Sequence, residues 1–244
     1  MSKANYGVYG SWAYYAVLAA IAVLSLGLVA FADFLRALLI ITFVTSTTLL
    51  ALLILVPQLL YARRRMGIVH EVIAAGKIGP NDRVLDVGTG RGFLAIEIAK
   101  AVKGCQIVGM DMWDMPAKGE MHKGFVLGDT RDNAERNARL EGMSNNVKFR
   151  QADAREMPFE SESFDVVVSS FVMHQIVYGT GGPRVLQETY RVLKPRGRLV
   201  IVDLIIGKRI TGQLTELGFG EIKVQKVKNL GPASLLLNML SAVR

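Results

Sequence analysis

The run Val84-Leu-Asp-Val-Gly-Thr-Gly-Arg-Gly92 sets Asp86 two residues ahead of three glycines at alternate positions. An apolar stretch of strand length leads in and a helical pattern leads out. Glycines at such a turn let the backbone approach a ligand closely and take positive φ. A dinucleotide fingerprint, G-x-G-x-x-G, would need its third glycine where Phe93 stands, which disfavours a pyrophosphate-binding dehydrogenase. Two more carboxylates close apolar runs: Asp111 ends Ile107-Val-Gly-Met-Asp111, and Asp153 ends Val147-Lys-Phe-Arg-Gln-Ala-Asp153. An acid at a strand end can accept hydrogen bonds from a ribose diol. Each alone would read as a turn or helix cap. Three at the carboxyl ends of successive parallel strands point to one shared ligand.

The elements that must position these groups follow from periodicity. Strands are expected at Arg83–Val87, Gln106–Asp111, Val147–Gln151, Phe164–Ser169 and Arg198–Asp203, with two more at Ile222–Val227 and Leu236–Val243. Helices are expected at Gly67–Ala75, Gly92–Lys100, Arg131–Glu141, Arg184–Leu193 and Ile210–Leu217. Alternation of this kind predicts an α/β fold, a doubly wound, Rossmann-like seven-stranded sheet with helices on both faces.

These motifs together resemble the class I S-adenosyl-L-methionine (SAM) dependent methyltransferases over roughly residues 66–244. Val84–Ala99 looks like their first motif, and Val108–Asp111 like their ribose-binding strand end. Ala152-Asp-Ala-Arg-Glu-Met-Pro-Phe159 with Ser163–Ser170 resembles their adenine-side loop and fourth strand. Leu193-Lys-Pro-Arg-Gly-Arg-Leu-Val-Ile-Val-Asp203 resembles their fifth-strand motif, usually written with glycine where Arg196 stands. Within the family the motifs look most like the ubiquinone/menaquinone-type small-molecule enzymes. The resemblance implies SAM as cofactor. It places Gly88 and Gly90 under the methionine portion, Asp111 on the ribose hydroxyls, Met112 against the adenine and Asp153 at the adenine amine. Asp86, Thr89, Ala154 and Ser170, carried by the same motifs, complete the expected cofactor-binding set.

Transfer from a sulfonium is an in-line displacement, so positioning and exclusion of water can supply much of the rate. A base is needed only where the acceptor must lose a proton. His174, just past the fourth strand, is the candidate for substrate contact or proton transfer; a packing or capping histidine is the plainer alternative. Residues 112–130 are longer than the family's usual link, either a lid or membrane-facing element or a variable surface loop. Ser169-Ser-Phe-Val172 stands where an N-P-P-Y-like motif would be, which counts against nucleic acid as acceptor. Cys105 is the single cysteine, and the three histidines lack ligand spacing, so neither a disulfide nor a structural metal is expected.

The chain is 51% hydrophobic, with mean hydropathy +0.31, and the excess lies before Arg63. Lys3, Asp33 and Arg36 are the only charged residues up to Ala62, so +7 of the net +8 belongs to the remainder. Trp12–Ala32 and Ala37–Tyr61 are uncharged. The first, as a helix, would reach about 32 Å, close to the hydrocarbon thickness of a bilayer. Asp33 and Arg36 leave room only for a tight connection, so the expectation is an antiparallel transmembrane hairpin over residues 1–65, followed by the methyltransferase domain, 66–244. A signal peptide fits less well, because a second apolar run follows. Arg63-Arg64-Arg65 places the domain in the cytoplasm by the positive-inside rule. An anchored enzyme of this kind would meet membrane lipids and act on a lipid, isoprenoid or quinone-like acceptor. A small soluble or protein acceptor with the hairpin as a mere tether, and a non-catalytic SAM-binding membrane protein, are the alternatives.

Overall fold

The computed structural model describes residues 11–113, 130–173, 182–204, 206–228 and 237–244. The chain divides into two compact units, Met1–Leu60 and Tyr61–Arg244.

The first unit carries helix α1 (Ser11–Gly76), whose last turns belong to the second unit. From Tyr15 to Leu53 its side chains face outward, Leu26 being 77% and Val23 72% exposed. The hydroxyls along it turn back onto their own helix: Thr42 Oγ1 donates to the Leu38 carbonyl at 2.9 Å and Thr45 Oγ1 to that of Ile41 at 2.8 Å. The expected turn at Asp33–Arg36 is a correction: α1 runs through it without interruption. Residues 32–37 hold neither glycine nor proline, and Asp33 and Arg36 pair along the helix at 3.3 Å, the i,i+3 spacing that supports helix. Likewise Gly67–Ala75 is the end of α1 and not a separate helix.

In the second unit β1 (Arg83–Val87), β2 (Gln106–Asp111), β3 (Val147–Gln151), β4 (Phe164–Ser170), β5 (Leu193–Asp203), β6 (Gly220–Lys226) and β7 (Asn238–Val243) form one sheet in the order β3-β2-β1-β4-β5-β7-β6. β3 through β5 are parallel, and β7 runs antiparallel to both β5 and β6. The chain winds outward from β1 to β3, then returns to lay β4 on the other side of β1. That reversal is the topological switch where ligands bind, at the carboxyl ends of the strands. Helices α2 (Phe93–Ala101), α3 (Arg131–Leu140), α4 (Gly182–Val192) and α5 (Lys208–Glu216) cover the faces.

Period-two alternation sorts each strand between two cores. Val84, Ile107, Val166 and Val200 join Val69 and Val72 of α1 and Ile98 of α2. Leu85, Met110, Val167 and Leu199 join Leu186 of α4 and Leu214 of α5. Side chains of this kind stabilise by about 1.5–3 kcal/mol each when fully buried, so the sheet is a stiff platform for its edge loops. By the same parity Asp86 and Asp111 fall on the α2/α3 face.

β5 begins five residues earlier than expected. Phe164 pairs with Leu193 and Val166 with Arg198, so residues 194–197 arch out of the ladder. Arg196 adopts φ +66°, with its N–H on the Arg244 carbonyl at 2.8 Å. This is the position where the fifth-strand motif usually has glycine, and the left-handed backbone supplies the reason.

Candidate active site

The glycine loop is built from the sheet outward. Gly88, Gly90 and Gly92 have φ of +75°, +53° and +82°. Space adds to conformation at two of them. A Cβ on Gly88 would lie 2.3 Å from Val172 Cγ2, and one on Gly92 2.7 Å from Phe149 Cζ. The Gly88 and Thr89 N–H groups both donate to the Met110 carbonyl, at 2.8 and 3.0 Å. Gly90 N–H donates to Asp111 Oδ2 at 2.8 Å, and Met112 N–H to Asp111 Oδ1 at 2.7 Å. The loop is thereby fastened to the end of β2, and Gly92 hands over to α2 through an Ile96 N–H to Gly92 carbonyl bond of 2.9 Å.

Asp86 lies beneath this loop, 1% exposed, with Oδ2 accepting from the Thr89 hydroxyl at 2.7 Å. Its Oδ1 is buried and accepts no hydrogen bond among the described residues. Burial pushes its carboxyl up to about 7; the Thr89 hydroxyl pulls the other way, and the charge of Asp111 adds to the rise. A buried carboxylate oxygen without a donor leaves an acceptor for a ligand carrying N–H groups or positive charge. Asp111, half-buried above it, presents a second carboxylate held by backbone amides. This set of carboxylate acceptors fits SAM, which brings an ammonium, a sulfonium and a ribose diol.

Asp86, Gly88, Thr89, Gly90, Asp111 and Met112 therefore come together. Asp153 stands two residues beyond Gln151, the register partner of Asp111, and so at the same edge of the sheet. Its carboxylate, however, is engaged by Arg155: Nε lies 3.0 Å from each oxygen, Nη2 2.7 Å from Oδ2, and the Arg155 N–H 2.8 Å from Oδ1. Ala154 is buried beside it, and Ser170 ends β4 opposite Val202. His174 falls outside the described residues, as do 114–129 of the long connection after β2. Sequence reasoning did not single out Trp113, whose indole N–H donates to the Gly90 carbonyl at 3.0 Å, nor Val172, which packs on Gly88. Trp113 was visible only as part of an insertion; its placement depends on a backbone conformation that composition does not reveal.

Residues 85–201 match the family model described as a methyltransferase domain. A ubiquinone/menaquinone biosynthesis C-methyltransferase of Geotalea daltonii is 35% identical over 128 residues, 52% of this chain and 47% of that protein. The chain spans about half the length of the curated relatives it matches. The fold is shared with a SAM-dependent methyltransferase from Aquifex aeolicus at TM-score 0.57 and 18% identity, over 77% of this chain and 97% of that one. It is shared too with a geranyl diphosphate C-methyltransferase from Streptomyces coelicolor at TM-score 0.58 and 13% identity, over 75% of this chain and 80% of that one. The matched segment is thus similar to methyltransferase domains, on a fold shared with SAM-dependent methyltransferases.

Proposed function

We propose that the chain is a membrane-anchored SAM-dependent methyltransferase acting on a lipid, isoprenoid or quinone-like acceptor. Residues 1–65 are the anchor and 66–244 the catalytic domain. One observation carries the reading: an apolar helical stretch of 39 residues, Tyr15–Leu53, with mean hydropathy 2.4 and exposed side chains, shares the chain with the adenosyl site.

Its length argues for two crossings. As one helix the stretch would measure about 58 Å against a hydrocarbon core of roughly 30 Å. A single crossing would leave nearly half of it in water. Between Phe34 and Leu53 twelve large apolar side chains are exposed. Keeping them wet forgoes on the order of 18–36 kcal/mol at about 1.5–3 kcal/mol each. Opening the helix at Asp33–Arg36 forfeits up to four backbone bonds, roughly 2–6 kcal/mol. In lipid the hairpin wins by a wide margin, with the only two charges of the stretch at its tip. Arg63–Arg65 then hold the catalytic side in the cytoplasm.

SAM supplies an already activated methyl group. The chain's own part is to bind and orient it: Asp111 toward the ribose hydroxyls, Met112 on the adenine, Asp86 and the glycine loop under the methionine portion. Asp153, Ala154 and Ser170 border the same edge, and His174 follows β4 as the group for substrate contact or proton transfer. The relatives named for ubiquinone/menaquinone and geranyl diphosphate support an isoprenoid-type acceptor, and a bilayer-resident substrate is what an anchored enzyme meets most often.

The test is incubation of the full chain with methyl-labelled SAM and native membranes. Label in an organic-extractable small molecule is the expected result. Label confined to water-soluble compounds or protein would overturn the acceptor assignment and leave the anchor as a tether.

A further inference from the structure

We propose that Trp113 is a positioning residue for the adenosyl ligand, clamping the glycine loop from the α3 side of the sheet. The inference rests on the reading of this loop as the SAM site.

Both backbone polar groups of Gly90 are held by residues at and just past the end of β2, Asp111 and Trp113. The Gly90 N–H is taken by Asp111 Oδ2 at 2.8 Å and its carbonyl by the Trp113 indole N–H at 3.0 Å. Together with the Met110 carbonyl, which accepts from Gly88 and Thr89, this ties every residue from 88 to 90 to the segment 110–113. Trp113 itself adopts φ +40°. A bulky side chain in that region is strained by on the order of 1–3 kcal/mol and persists only where its surroundings over-determine it. The indole stands edge-on to Phe149, with ring centroids 6.5 Å apart, and Phe149 in turn fills the space against Gly92 and Gly109. The Trp113 backbone N–H also reaches Asp111 Oδ1 at 3.4 Å. A surface tryptophan with no task would relax to negative φ and release the carbonyl.

Consequently the loop is fixed before the ligand arrives. Gly88 and Gly90 carry no side chains to stiffen the loop on either side of Thr89, so the entropy of ordering them would otherwise fall on binding. The ligand portion that gains is the one lying on the loop, the methionine end. The adenosine end, which rests on Asp111 and Met112, does not depend on the indole N–H.

That division supplies the experiment. Wild type and Trp113→Phe, as full chains in detergent micelles, are titrated calorimetrically with S-adenosylhomocysteine and with adenosine. Phenylalanine keeps an aromatic ring on the Phe149 side and removes the indole N–H together with the rest of the five-membered ring. The expected result is a roughly 3- to 10-fold weaker Kd for S-adenosylhomocysteine, the range of one lost hydrogen bond, with the Kd for adenosine unchanged. Equal affinity of the variant for S-adenosylhomocysteine overturns the clamp. So does a parallel loss for both ligands, which would mark general damage to the fold. Failure of wild type to bind either ligand overturns the SAM reading instead, so the two failures are distinguishable.

Discussion

Replacing Gly88 by alanine tests the loop geometry most directly. The residue has φ +75°, and the new methyl would meet Val172 Cγ2 at 2.3 Å, Cγ1 at 2.6 Å and Cβ at 2.8 Å. The left-handed backbone adds about 1–2 kcal/mol of strain, and overpacking adds about 1–3 kcal/mol. Val172 has branched carbons on both near contacts, so rotation of one side chain does not clear the clash. The sum is about 3 kcal/mol, which for a domain of this size lowers Tm by roughly 6–12 °C. Because the loop must move, SAM affinity should fall by about tenfold or more, some 1.4 kcal/mol. Adding Val172→Ala removes the two closest carbons but neither Cβ nor the φ strain. The double variant should therefore recover about half of the lost stability. Thermal unfolding and SAM calorimetry on the three proteins give the answer. Unchanged Tm in Gly88→Ala, or no recovery in the double variant, refutes the reasoning.

Asp86→Asn removes a carboxyl whose native pKa lies at about 7, above its ordinary value of 3.8. The folded state holds the proton more tightly than the unfolded chain, so the contribution of Asp86 to stability is fullest below pH 4. It declines as pH rises to 7, by up to about 1.4 kcal/mol per pH unit; denaturant titrations should show that decline, and the asparagine variant should lack it. Arg196→Gly relieves a left-handed residue at φ +66°; with the greater flexibility of unfolded glycine offsetting part of the gain, denaturation should show about 0.5–1 kcal/mol of added stability and no change in SAM affinity. Phe34→Cys, at the tip of the proposed hairpin, should react in intact cells with a membrane-impermeant maleimide, while buried Cys105 stays silent; labelling only after permeabilisation would refute the two-crossing topology.

Much of the catalytic domain was legible because its signals are local. β1 and β2 match their apolar runs at both ends, since a parallel strand buried on both faces reads as a nearly continuous hydrophobic run closed by a turn; β3, at the sheet edge, matches through the alternation Val147-Lys-Phe149, which buries one face and exposes the other. Asp86, Asp111 and the three glycines were legible for the same reason: each stands at a strand end whose register the alternation determines. The arch at 194–197 was not, because Lys-Pro-Arg-Gly reads as a turn, and its ladder is completed by Arg244, far along the chain. Nor was the course of α1. Charges flanking a short gap read as a turn in an apolar context, yet Ala-Asp-Phe-Leu-Arg-Ala has no helix breaker, and local propensity alone continues the helix. Which of the two prevails depends on the solvent around residues 15–53, and only lipid supplies the length constraint.

Asp153 shows where strand-end logic stops short. Its two oxygens offer about four acceptor positions, and Arg155 brings three N–H groups to them: Nε–H shared between both oxygens, Nη2 to Oδ2 and the backbone N–H to Oδ1. An adenine amine reaching this carboxylate competes with the arginine contacts for its oxygens. The pair is 16–20% exposed at its side chains, so the exchange is sterically open, and the arginine it frees has water to turn to. Arg155→Ala should then separate two effects that usually travel together. Stability should fall by about 1 kcal/mol, the order of a partly exposed ion pair. SAM affinity should rise a few-fold, because the amine no longer competes with the arginine side chain for the carboxylate. If Asp153 serves only to cap the turn that follows β3, affinity will stay level or fall with stability, and the adenine contact must be sought elsewhere on this edge.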